Sequence, residues 1–62
     1  MNNINYWTTT LAYLVWPELF VPVRVQENGD FQFILEHGQI VQFNRQSICI
    51  AFLRGIHTAE AK

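Results

Sequence analysis

One thiol, Cys49, and two imidazoles, His37 and His57, are the side chains of this sequence suited to nucleophilic or proton-transfer chemistry near neutral pH. A histidine within hydrogen-bonding reach of Cys49 would act as the base that activates it. The surrounding residues argue against that use. Cys49 lies inside the apolar run Ile48-Cys49-Ile50-Ala51-Phe52-Leu53, where a thiol behaves as an inert, buried hydrophobe. His37 falls in a turn, and His57 lies in a tail that ends Thr58-Ala59-Glu60-Ala61-Lys62, of the kind that frays. No paired Cys/His spacing of a metal site exists. No catalytic residue, metal or cofactor is therefore assigned.

The carboxylates Glu18, Glu27, Asp30, Glu36 and Glu60 are scattered. Glu27 and Glu36 fall in loops at opposite ends of one strand, roughly 20 Å apart, too far for acid–base work across one bond. Glu18 and Glu36 share an end and read as solvated surface acids. The expectation is a protein that is not an enzyme. Net charge is −1, and the basic residues are Arg24, Arg45, Arg54 and Lys62. That spacing makes no basic patch for phosphates, which disfavours nucleic acid, and there is no acidic run to mimic one.

Binding is the chemistry that remains. Arg24, Gln32 and Gln42 form a polar row across the predicted strands. Most such rows are solvent-facing surface, but this one is also a candidate contact for a partner. The aromatics Tyr6, Trp7, Tyr13, Trp16 and Phe20 crowd the first third of the chain. Some must enter the core, yet Tyr6, Trp7, Tyr13 and Trp16 cannot all share one helix face. Surface Trp and Tyr are enriched at binding hot spots. The candidate partner-binding residues are therefore Trp7, Tyr13, Trp16, Phe20, Arg24, Gln32 and Gln42.

Two turn signals nine residues apart position most of these side chains: Glu27-Asn28-Gly29-Asp30 and Glu36-His37-Gly38-Gln39. Each fits a three-residue hairpin loop closed by a left-handed glycine. With Glu27-Asn28-Gly29 as a loop, Val25 faces Phe31, Val23 faces Phe33 and Val21 faces Leu35. With Glu36-His37-Gly38 as the second, Phe33 faces Val41 and Phe31 faces Phe43. All are apolar and share one face. Two-residue turns would pair Val25 with Gln32 and Phe33 with Gln42, mixing the faces, so three-residue loops are preferred.

Downstream, Ile48, Ala51, Phe52 and Gly55 recur at helical spacing. Asn44 suits the N-cap, Arg54 the last turn, and Gly55 the left-handed position after it, with Ile56 completing a Schellman contact. The β-branched Ile48-Cys49-Ile50 is the argument for a fourth strand instead. Upstream, Thr8-Thr9-Thr10 offers N-caps for a helix bearing Leu11, Leu14 and Val15, ended by Trp16 before Pro17. Pro17-Glu18-Leu19 turns the chain into the sheet. Pro22 lacks an N–H, which predicts an edge position for its strand.

The expected fold is α+β: a three-stranded antiparallel meander flanked by an N-terminal and a C-terminal helix, one or both covering the Val/Phe face. Residues 20–54, with Val21-Pro22-Val23 after a helix and Ile40–Phe52 as late strands, also resemble an Sm-like RNA-binding barrel, a small SH3-like β-barrel. That resemblance implies RNA binding as the alternative. No uridine-binding motif stands in the sequence, so no site residue carries over.

Sixty-two residues make a single domain, 1–62, and a chain this short buries only about 60% of its unfolded surface. One cysteine provides no internal disulfide, while 50% hydrophobic and 15% aromatic content offers apolar surface for another chain to cover. Absence of disulfides and of a basic leader implies a cytoplasmic setting. Pro17, Glu18, Pro22 and Arg24 interrupt the apolar run from Leu11 to Val25, so no membrane span of about 20 residues is expected. The expected function is that of a small protein-binding regulator or inhibitor, of phage or mobile-element type. Its partner is another protein, a second copy in a homodimer, or both.

Overall fold

The computed structural model describes residues 4–61. Four strands, β1 (Ile4–Tyr6), β2 (Leu11–Trp16), β3 (Leu19–Val25) and β4 (Phe31–Phe33), form an antiparallel sheet in chain order. A two-stranded ribbon follows, pairing β5 (Leu35–Glu36) with β6 (Gln39–Ile40), and the helix α1 (Gln46–Glu60) comes last. The outer strands β1 and β4 are not paired with each other, so the sheet is not a closed barrel.

The N-terminal helix expected from Thr8-Thr9-Thr10 is replaced by a turn and the strand β2. Thr8 Oγ1 accepts from the amides of Thr10 and Leu11 at 3.1 and 2.9 Å. An N-cap threonine makes the same local bonds, so the signal is real but does not choose between turn and helix. The amides of Trp7 and Thr8 both donate to the Leu11 carbonyl, folding β1 back against β2. Leu11, Tyr13 and Val15 then face one side of the sheet, and Ala12, Leu14 and Trp16 the other. Apolar residues on both sides mark a strand buried on two faces, which periodicity alone does not distinguish from a buried helix.

The first hairpin has the expected register: Val23 opposite Phe33, Arg24 opposite Gln32, Val25 opposite Phe31. Gly29 closes its loop at φ 90°, and Asn28 Oδ1 accepts from the Asp30 amide at 3.0 Å. The second hairpin differs. His37 and Gly38 both have positive φ, 55° and 78°, forming a two-residue turn that pairs Glu36 with Gln39 and Leu35 with Ile40. Two consecutive left-handed residues are the signature of a type I′ turn. The expected pairs Val21–Leu35, Phe33–Val41 and Phe31–Phe43 do not form.

Pro22 supplies the physical reason. The amides of Phe20 and Gln26 point away from β2, to Phe43 and Asp30, so alternation aims the nitrogen of residue 22 the same way. Register puts Pro22 opposite Ile34, and proline has nothing to donate there. The Ile34 carbonyl instead accepts from the Val41 amide at 3.0 Å, and the sheet breaks at that point. Beyond the break Phe43 takes the place beside Phe20, exchanging bonds of 2.7 and 3.0 Å. β3 is thus an interior strand with its proline at a gap in the ladder, not an edge strand.

The C-terminal helix is present with shifted ends and a rotated face. Arg45, not Asn44, is the N-cap, and it makes no side-chain capping bond. The helix runs through Gly55 to Glu60, and its C-cap Ala61 donates its amide to the His57 carbonyl. The stripe packed on the core is Cys49, Ile50, Leu53 and Ile56, in place of the expected Ile48, Ala51, Phe52 and Gly55; of those four, Phe52 meets a core-packed residue, its ring 5.3 Å from that of Phe43. Leu53 and Ile56 bury more carbon than Ala51 and Gly55, which decides between the stripes.

α1 lies on the opposite face of the sheet from the one expected. Its partners are Leu11, Tyr13, Val15 and Phe20, with Cys49 and Leu53 fully buried between. Gln46 Nε2 donates to the Tyr13 hydroxyl at 2.7 Å, and Arg24 pairs with Glu60 at 2.6 Å, tying both ends of the helix to the sheet. The Val/Phe face carries no helix.

Candidate functional site

Cross-strand register assembles that uncovered face. Ile4, Leu14 and Val21 form one row; Tyr6, Ala12, Val23 and Phe33 form the next; Trp16–Leu19 and Val25–Phe31 bound the two ends. No charged residue stands in any of these rows. The middle is buried: Ala12 and Val23 are inaccessible and Val21 is nearly so. Around them the large side chains stand out to solvent, Tyr6 at 64%, Trp16 at 69%, Phe31 at 39% and Phe33 at 46%.

The small side chain of Ala12 explains how the middle is covered without a helix. It leaves room for the rings of Tyr6 and Phe31, from opposite edges of the sheet, to approach to 6.4 Å between centroids. On the Trp16 side the same face opens into a groove of about 360 Å³. Leu14 and Val21 line it from the middle of the sheet, Trp16, Pro17 and Leu19 from the β2–β3 turn, and Phe33, Ile40 and Gln42 from the far side. Its polar groups are the Gln42 amide and the indole N–H of Trp16. Such a site offers apolar area and ring faces, with an amide at the margin, and nothing that would move a proton.

Of the seven residues predicted to bind a partner, Trp16 and Gln42 come together in this groove. The other five lie elsewhere. Trp7 packs on the core, edge-on to His57 of α1 at 5.4 Å, and Tyr13 is buried under the helix with Phe20 against it at 6.0 Å. Arg24 is engaged by Glu60, and Gln32, its cross-strand neighbour, accepts from Gln26 Nε2 at 2.9 Å. The predicted polar row is therefore split between the two faces. Sequence reasoning misses the exposed Tyr6, Phe33 and Ile40 and the half-buried groove residues Leu14 and Leu19. Alternation groups Val21, Val23, Phe31 and Phe33 correctly. What hides their exposure is reading β2 as a helix that would cover them.

The groups that could do chemistry are kept apart. Cys49 is fully buried, and desolvation pushes its thiol up to about 11, so it is protonated at neutral pH. His57 is turned toward Trp7. His37 and Glu36 sit in the exposed β5–β6 turn, beside an open depression of about 410 Å³. Among the described residues no three His, Cys, Asp or Glu side chains are grouped to hold a metal ion. No helix among them is long and apolar enough to cross a membrane.

No family model matches the chain, and neither a curated protein nor a solved structure matches it.

Proposed function

We propose that this chain acts by binding protein, as a small regulator or inhibitor that occupies a partner's surface through its uncovered sheet face. One observation carries the reading: a contiguous, uncharged row-by-row apolar face with four exposed aromatic rings, two of which, Trp16 and Phe33, line a groove. Soluble monomers seldom leave such a patch bare, and exposed Trp and Tyr contribute strongly to protein interfaces. A nucleic-acid module is the rival. Bases do stack on exposed rings, but they require a cationic track for the backbone. Arg24 lies on the helix side in an ion pair with Glu60, and Arg45 and Arg54 belong to α1 and its cap.

The test is binding with Trp16→Asp and Phe33→Asp beside the parent. A protein captured stoichiometrically by the parent and lost from both folded variants supports the reading. Salt-sensitive binding of single-stranded RNA or DNA by the parent, with no protein captured, would replace it with the nucleic-acid alternative.

A further inference from the structure

We infer that the occupant of the apolar sheet face is a second copy of this chain, seated face to face in a two-fold β-sandwich. The inference rests on the reading of that face as a protein-docking surface, and names what docks there.

Area is the first argument. A folded monomer of 7.3 kDa has an accessible surface of about 4,200 Å² by the general scaling with mass. This chain exposes 4703 Å². Large apolar side chains supply part of that exposed area. Tyr6, Trp16, Phe31 and Phe33 alone leave roughly 440 Å² of ring surface in water, taking about 200 Å² per aromatic side chain. The groove residues not yet counted, among them the half-exposed Ile40, add to that area, set against the roughly 800 Å² per partner of a standard stable interface.

Charge and shape are the second. A surface that selects a foreign partner uses charged or polar groups to reject others. This one has no charge in its rows, and its polar groups are the Tyr6 hydroxyl, the Trp16 indole N–H and, at the margin, Gln42, so no like charges repel an identical copy. A two-fold interface must also be complementary to itself. Here one face carries both the projecting ring of Trp16 and the recess of about 360 Å³ beside it. Two twisted sheets stack about 10 Å apart with their inner side chains interleaved, the geometry of a β-sandwich. A foreign protein using the same face has to part the dimer, so the two occupants exclude each other.

Sedimentation equilibrium tests this on the parent, Trp16→Asp, Phe33→Asp and a helix-side control, Ser47→Asp. The expected result is twice the chain mass for the parent and the control, and the single mass for both face variants, all with the same circular dichroism. A second readout uses a Trp7→Phe background, in which Trp16 is the sole tryptophan. Its emission should shift to the red on dilution from roughly 100 µM to roughly 0.1 µM, across affinities open to an interface of this size. A parent that stays at 7.3 kDa with constant emission overturns the inference, as does a dimer that survives both face substitutions. If a monomeric parent still captures a foreign protein through Trp16, the docking reading stands and only the second copy is excluded. If Phe33→Asp does not fold, the Trp16 emission decides.

Discussion

Four residues define what the local chemistry can and cannot do. Gly29 and Gly38 hold positive φ, and the space a Cβ would enter at either position is empty out to 4 Å, so a substitution there meets backbone strain and no clash. Gly29→Val and Gly38→Val should each lower stability by roughly 1 kcal/mol or more in chemical denaturation. His37 is the informative neighbour, a non-glycine residue at φ 55°. His37→Gly should equal or exceed the parent's stability, since a left-handed residue with a Cβ costs about 1 kcal/mol. Unchanged melting in all three would mean that neither turn has the described geometry. Cys49 gives the pH prediction. Its pKa rises from 9.0 to about 11 on folding, because burial penalises the thiolate. The neutral thiol is favoured in the folded state, so its contribution is intact below pH 9.0 and is lost as pH rises through about 11. Cys49→Ser or Cys49→Ala should flatten that alkaline decline, and iodoacetamide at neutral pH should label the parent only as it unfolds.

At the scale of the element, α1 is held by packing more than by its own signals. Its cap Arg45 makes no side-chain bond, and its first turn has no acidic residue. Arg45→Asp should stabilise by about 1 kcal/mol, by capping the free amides and complementing the helix dipole. Asn44→Ala should change little. Gly55 keeps a helical φ inside α1 with open space around it, so Gly55→Ala should add about 0.5–1 kcal/mol. If Asn44→Ala destabilises and Gly55→Ala does so too, the helix ends where the capping residues first suggested. The apolar stripe is tested by Leu53→Ala, expected to cost about 2–5 kcal/mol, against Ile48→Ala at under about 1 kcal/mol. Both Asn44 and Gly55 are sound local signals that the longer helix overrides, because Ile56, one turn past Leu53, gains more from the core than a Schellman end would supply.

For the whole molecule, the decisive event is which face of the sheet the helix covers, and α1 covers the face of Leu11, Tyr13 and Phe20. Tyr13→Phe should therefore cost about 1 kcal/mol by removing the bond from Gln46, a link that a helix on the other face would not make. A thermal melt unmoved by that change would contradict the placement. Much is legible in the residues themselves. The first hairpin and its register, the left-handed Gly29 and Gly38, the C-terminal helix and the buried thiol all follow from interactions within a few residues or one turn, which sequence encodes directly. The surplus of aromatic surface is legible too, as a quantity. Its location is not. Leu11–Trp16 is apolar on both sides, so its period is compatible with strand or helix, and only pairing with β1 and β3 settles it. Pro22 reads as an edge marker until the break opposite Ile34 shows how an interior strand accommodates it. α1 buries Cys49, Ile50, Leu53 and Ile56, not the stripe that the helical spacing suggested, a choice made by the shape of the surface it meets. These are long-range outcomes, set by which apolar areas can be buried together, and they place Trp16 and Phe33 on the outside while Tyr13 and Phe20 pack beneath the helix.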